Sequence, residues 1–307
     1  MVASYVIRRI LQAVVVLWGV SIIVFALLRL APSDPVTLLL AETASPEQIV
    51  EARHQLGLDR SIPEQYVLFM GRVVQGDLGQ SIFYKEPATR VVLRALPNTL
   101  LLAAIAFVLS LAVALPVGML SALHRDTFWD YFGVGVSLIG QATPSYWLGI
   151  MLILLFSVSL HLLPTSGSYG PQYIILPAVT LSAVLLPIVV RLVRSGMLDV
   201  LSEDYVRTAR AKGLSNNRVI WRHAFRTMVI PLVTVLGLQL SSLLGGAVII
   251  EQVFAWPGVG QIAVHAISSR DYPIVQADVL LVSWGFVVMN LLIDLLYIRL
   301  DPRISYR

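Results

Sequence analysis

Covalent chemistry needs nucleophiles, metal ligands or phosphate cradles at workable spacing, and this chain offers few of them. It has no cysteine, which removes disulfides, thiolate metal sites and cysteine nucleophiles together. His54, His124, His161, His223 and His265 are scattered, with no H-E-x-x-H pair or other ligand cluster. The phosphate-loop pattern G-x-x-x-x-G-K-[ST] is absent, and Lys212-Gly213 carries the two residues in the wrong order. The run Thr165–Gly170 is rich in serine and glycine but lacks a nucleophile elbow, and reads as a turn. No catalysis is expected here, and no cofactor or metal resident in this chain.

The best organised polar segment is instead Ser202 to Leu214. Ser202 can cap a helix that gathers Glu203 and Asp204 in its first turn and Arg210 and Lys212 in its last. Gly213 would end it in the left-handed conformation. A short helix of this kind between two membrane spans is a rigid projecting lever. On the residues alone, a basic loop with helical content accounts for it equally well.

The elements that position this segment follow from composition. The chain has 307 residues, 57% hydrophobic and 13% charged, with net charge +4 and a mean hydropathy of +0.80. A soluble protein carries about 25% charged residues, so the class is a multi-spanning membrane protein. No basic face is interleaved with stacking aromatics, which argues against nucleic-acid binding. Ile10–Leu28 is too long for a signal-peptide core and reads as a retained first span. Further spans are expected near Thr99–Leu120, Phe132–Leu160, Tyr173–Val190, Val229–Ile250 and Val279–Ile298, six in all. Pro116, Pro144 and Pro187 are candidate kinks.

Basic residues orient these spans. Arg8 and Arg9, the connection carrying Arg207 to Arg226, and Arg299, Arg303 and Arg307 are expected in the cytoplasm, so both termini lie there. The segment 31–97 is then external. A first helix is expected from Ser45-Pro46-Glu47 to Gly57, and a second from Pro63 to just before Gly76.

Polar residues at membrane depth are costly and so become candidates for a translocation path: Gln141, Thr143, Ser145, Gln239, Ser241, Ser242 and Asn290. For the hydroxyls, back-bonding to the helix or close packing is an equal explanation. Gly245 and Gly246 suit tight helix contact, and Asp294 suits a salt bridge with Arg299 or another basic residue. Phe254-Ala-Trp256-Pro257-Gly258-Val-Gly260 mixes aromatics with backbone breakers. It is either an interfacial aromatic belt with a turn or a re-entrant, gate-like segment.

Asp204-Tyr-Val-Arg-Thr-Ala-Arg-Ala-Lys-Gly-Leu214 resembles the coupling loop of ABC importer membrane subunits of the dipeptide, oligopeptide and nickel permease family. Gly76-Asp-Leu-Gly-Gln-Ser81, Thr143-Pro-Ser-Tyr-Trp-Leu-Gly149, Phe254–Gly260, Arg270-Asp-Tyr-Pro-Ile-Val-Gln276, Asp294-Leu-Leu-Tyr297 and Asp301-Pro-Arg303 resemble that family in the same order. The general importer motif E-A-A-x-x-x-G is modified, with Arg207, Thr208 and Ala209 standing before Gly213. The spacing to Pro231 is longer than in sugar importers.

The resemblance implies an all-α membrane protein with six transmembrane helices in a type I ABC importer fold. It would comprise an N-terminal helix (1–30), the external segment (31–97), a five-helix core (98–300) with its coupling loop (196–228), and a tail (301–307). It implies residence in a bacterial inner membrane. The partners would be a second permease, two cytoplasmic ATPases that hold ATP and magnesium, and an external binding protein. Tyr205, Arg207, Thr208, Ala209, Arg210, Lys212, Gly213 and Leu214 would engage an ATPase. Phe254, Trp256, Pro257, Gly258, Asp271 and Tyr272 would form an external gate or meet the binding protein. Cargo would be dipeptides or longer peptides, with glutathione and nickel chelates as alternatives. A secondary transporter or channel using Asn290 or Asp294 would require an inverted repeat, and the two halves show none.

Overall fold

The computed structural model describes residues 2–30, 54 and 59–300; at 2–6, 27–30, 230, 241 and 294–300 it describes the backbone alone. The regular elements among these residues are helical, apart from a lone antiparallel bridge between Gln80 and Pro87. Four helices are long and apolar enough to cross a bilayer, and two bent helix pairs bring the number of spans to as many as six. The chain divides into two compact units, Met1–Pro97 with Gln261–Val288, and Asn98–Gly260 with Met289–Arg307.

In the first unit, α1 (Val2–Leu30) turns Ile10, Leu11, Val14, Val15 and Trp18 outward. A soluble helix would hide these side chains, and lipid accepts them. The helix α2 (Ile62–Val74) starts where expected, with Glu64 Oε2 accepting the Ser61 N–H at 3.2 Å. It docks through Phe69 and Tyr66 against Phe25 of α1, with ring centroids 5.6 and 5.4 Å apart. Ser21 Oγ lies 2.8 Å from the Tyr66 hydroxyl, so the polar tip of that aromatic contact is satisfied. The helix expected from Ser45 to Gly57 lies, apart from His54, outside the described residues, as do the side chains of Ser241, Asp294 and Arg299 and the tail motif at Asp301.

A single helix, α3 (Ala88–Leu123), contains the expected second span and passes straight through Pro97. Its 36 residues make it about 54 Å long, well beyond the ~30 Å hydrocarbon layer. In the second unit the third span is broken into α4 (Phe128–Ala142) and α5 (Ser145–Leu152), the latter continued by a π-helical stretch Ile153–Ser159. The pair bends by 102° at Thr143-Pro144, where Pro144 lacks the N–H needed to continue the helix. Pro116 and Pro187, the other expected kinks, lie within the unbroken α3 and α6.

The helix α6 (Ile175–Leu201) is entered by a 3-10 turn at Pro171–Ile174 and runs a full three turns beyond the expected end at Val190. It is the most buried span, placing Leu181, Leu185, Val189, Val190, Val193 and Met197 in one core. A short helix α7 (Asp204–Ala211) follows. A single turn at Asn216–Arg218 and a π-helical stretch Val219–Ala224 then lead into α8 (Phe225–Val253). Last come α9 (Val259–Ser268) and α10 (Tyr272–Leu300), the latter starting earlier than the expected Val279.

In the second unit α3 and α6 pack closely at Gly118. A Cβ at Gly118 would lie 2.8 Å from both the Val190 carbonyl oxygen and Val193 Cβ. Gly118→Val is therefore expected to destabilise the protein by about 1–3 kcal/mol, because the clash is with backbone and a buried valine. Thermal unfolding in detergent, followed by size-exclusion fluorescence, checks this; an unchanged midpoint would contradict the packing.

Candidate functional site

The lever segment is built from the end of α6 upward. Ser202 does not cap α7 as expected. It closes α6 instead, its hydroxyl donating to the Asp199 carbonyl at 2.7 Å. Glu203, extended at φ −68 and ψ 147, takes the N-cap position, and Asp204 supplies the acid of the first turn. The reason is length: α6 runs to Leu201, so Ser202 is consumed as its terminus. Only Ser202 and Glu203 therefore separate two helices.

At its other end α7 closes in a Schellman arrangement. The Leu214 N–H donates to the Ala209 carbonyl (3.4 Å) and the Gly213 N–H to the Arg210 carbonyl (2.9 Å). Gly213 has φ +78 with no atom near its missing Cβ, so the constraint there is backbone conformation rather than space. Val206 and Ala209, three residues apart on one face, are buried against Val219 with Val200, Leu201 and Leu214. Ala209 thus faces its own chain. Tyr205, Arg207, Thr208, Arg210 and Lys212 form the exposed face, with the Tyr205 hydroxyl bonded to Thr227 Oγ1 at 3.2 Å. Thr208 Oγ1 is used within the helix, donating to the Asp204 carbonyl.

The aromatic turn after α8 is held from inside. Glu251 is fully buried, and Thr99 Oγ1 donates to its Oε1 at 2.5 Å while accepting the Val259 N–H at 2.9 Å. Asn98 Nδ2 donates to the Pro257 carbonyl (2.8 Å), and the Trp256 indole N–H donates to the Asn98 carbonyl (3.0 Å). A Cβ at Gly258 would collide with the Glu251 carboxylate, so a larger residue there must displace that buried acid. Phe254 and Trp256, expected as gate or partner contacts, are 2% and 5% exposed and anchor the turn inward. Asn98, Thr99 and Glu251 were not singled out from the sequence. Glu251, a lone acid ending an apolar helix, was the available signal.

Asp271 is buried in the same manner within the first unit. It accepts the Ser81 hydroxyl at 2.5 Å and the Phe83 N–H at 3.1 Å on Oδ2, while Tyr272 is half-buried. The loop it holds presents Phe83 and Tyr84 outward, with Phe83 edge-on to His265 at 4.8 Å.

Among the path candidates, Gln141, Thr143 and Ser145 flank the 102° bend, whereas Gln239 and Ser242 lie on α8 and Asn290 on α10. Gln141 and Ser242 are exposed in the chain, and Ser145, Gln239 and Asn290 are half-buried. Thr143 Oγ1 donates to the Ile139 carbonyl at 2.8 Å, which is the back-bonding alternative.

The end of α7 yields a direct expectation. Gly213→Val places a β-branched residue at positive φ, costing about 1–2 kcal/mol, whereas Gly213→Asn is tolerated. Limited trypsin digestion of membrane vesicles should cut Gly213→Val faster at Arg210 and Lys212 and leave Gly213→Asn near wild type. Equal rates would reject the left-handed terminus.

Comparison with known proteins bears on the same elements. The solved structure of the MetNI methionine ABC transporter in an inward-facing conformation superposes with a TM-score of 0.58 at 19% identity. It covers 69% of this chain and 96% of that one, a likeness of fold. The di/tripeptide transport system permease protein of Pseudomonas aeruginosa is 39% identical, with 99% of each chain covered. The oligopeptide transport system permease protein of Bacillus subtilis is also 39% identical, over 99% of this chain and all of that one. A glutathione transport system permease protein of Escherichia coli is 39% identical, with 99% of each covered. The N-terminal family of binding-protein-dependent transport system membrane components matches residues 2–103. With residues 114–306 matching the main family description, the chain belongs to the inner membrane components of binding-protein-dependent transport systems.

Proposed function

We propose that this permease imports short peptides as one of two membrane subunits of an ABC importer, and that α7 is its coupling helix. The observation that carries the proposal is α7 itself. It is capped at both ends, packed on its own chain through Val206 and Ala209, and carries exposed Tyr205, Arg207, Thr208, Arg210 and Lys212. An element that grips its own chain on one face and leaves the other exposed suits docking to a separate motor.

In this reading both termini and α7 lie in the cytoplasm, following Arg8, Arg9 and the basic run Arg207 to Arg226. A second permease completes the pathway, two ATPases bind ATP and magnesium, and an external binding protein delivers the cargo. When ATP draws the ATPases together, α7 moves as a body and α6 moves with it, because the link at Ser202-Glu203 is too short to absorb the displacement. The spans then switch between two packed arrangements. Short peptides are the cargo class shared by the relatives' names. Glutathione, itself a tripeptide, is a second reading favoured by the equally similar glutathione permease.

Reconstitution of the complete complex in liposomes tests this. ATP-dependent uptake of labelled dialanine, absent when any one partner is omitted, is the expected result; glutathione uptake alone would select the second reading. Reversing charge at Arg210 and Lys212 should lower uptake per ATP on the order of tenfold while ATP hydrolysis persists. Undiminished uptake by the reversed variant would reject α7 as the coupling helix.

A further inference from the structure

We propose that the Asp130–Arg194 ion pair is the tie through which movement of α7 is passed to the third span. This rests on the coupling role proposed for α7. Arg194 Nε donates to Asp130 Oδ1 and Nη2 donates to Oδ2, both at 2.6 Å, a two-pronged contact that fixes direction as well as distance. Asp130 is 2% exposed, so water does not compete for its oxygens. The same carboxylate accepts the Asp126 N–H at 3.1 Å, at a residue whose φ is +61. One side chain therefore binds the turn between α3 and α4, the first turn of α4, and α6.

Position gives the pair its mechanical role. Arg194 is two helical turns, about 10 Å, before the end of α6, and α7 begins directly beyond Ser202-Glu203. Asp130 opens α4, whose far end carries Gln141 beside the 102° bend. A displacement of α7 enters α6 at Leu201 and reaches α4 through this pair.

The buried face of α4 offers few large side chains to fix its register. Its two buried residues are Asp130 and Ser137, both polar, and the Ser137 hydroxyl is spent on the Val134 carbonyl. Phe128, Trp129, Tyr131, Phe132, Val136 and Ile139 face outward. On the inner side, Gly133 meets Ser121 and Val117 of α3, and Gly140 meets the Ala183 carbonyl of α6. Small residues line this face, and the forked ion pair adds to it a contact that fixes direction along the helix. Asp130 and Arg194 are accordingly positioning residues, acting on the path through the helices they join.

The test uses the complete complex in liposomes with labelled dialanine, reading ATP hydrolysis and uptake per ATP separately. Asp130→Asn should keep hydrolysis within about twofold of wild type and lower uptake per ATP on the order of tenfold. Arg194→Lys, which keeps the charge but loses the fork, should fall between the two. The exchanged pair Asp130→Arg with Arg194→Asp should recover most of the loss. Wild-type uptake per ATP in Asp130→Asn, or an exchange no better than the single variants, overturns the tie. If Asp130→Asn fails to assemble, Arg194→Lys decides, and normal coupling there overturns it equally. A wild-type complex that moves no peptide would instead defeat the functional reading, and the tie with it.

Discussion

Where the backbone is buried away from water, a break in helical geometry must find its hydrogen bonds inside the protein. Three buried carboxylates meet that demand. Asp130 takes the Asp126 N–H at the turn between α3 and α4. Asp271 takes the Phe83 N–H and the Ser81 hydroxyl in the loop before α3. Glu251 takes the Thr99 hydroxyl, which in turn accepts the Val259 N–H at the start of α9. Each acid lies near a helix end and stitches a turn to an element distant in sequence or to a neighbouring span. An acid placed there sets the path of the chain, which an apolar contact, lacking direction, would leave loose.

The lever follows the same economy with backbone groups. Its Schellman close satisfies the last carbonyls of α7 without any side chain, leaving Tyr205, Arg207, Arg210 and Lys212 outward. Val206 and Ala209 meanwhile seat the helix against Val219. A rigid helix joined to α6 by two residues is stiff along its length, and α6 is the best packed span of the second unit. The broken third span sits at the opposite extreme: α4 keeps its large side chains outside and turns at Pro144. Stiffness and pliability are thus segregated onto successive helices.

Much of this was legible in the sequence. Uncharged apolar runs located the spans, because a lipid-facing helix needs nothing more specific than length and hydropathy. Gly213 marked the end of α7 through a conformation that other residues adopt at a cost, and Pro144 marked the bend. Ser202 misled, since a hydroxyl next to an acidic first turn is an N-cap by local rules. What overrode those rules was the extra length of α6, which is held helical to Leu201 by packing of Val193 and Met197. Phe254, Trp256 and Asp271 were expected at an external gate or at the binding protein and are buried within the chain, since an aromatic or acidic residue in a Pro/Gly-rich loop carries no signal of direction.

By itself, then, the sequence determined the class of the protein, where its apolar helices lie, and the place and handedness of the lever's terminus. Those properties depend on composition, spacing and the backbone preferences of single residues. Only the tertiary structure decided which groups meet: Arg194 with Asp130, Thr99 with Glu251, Ser81 with Asp271. These pairs are separated by 64, 152 and 190 positions. No local rule links residues so far apart, and their meeting is a consequence of how the helices cross.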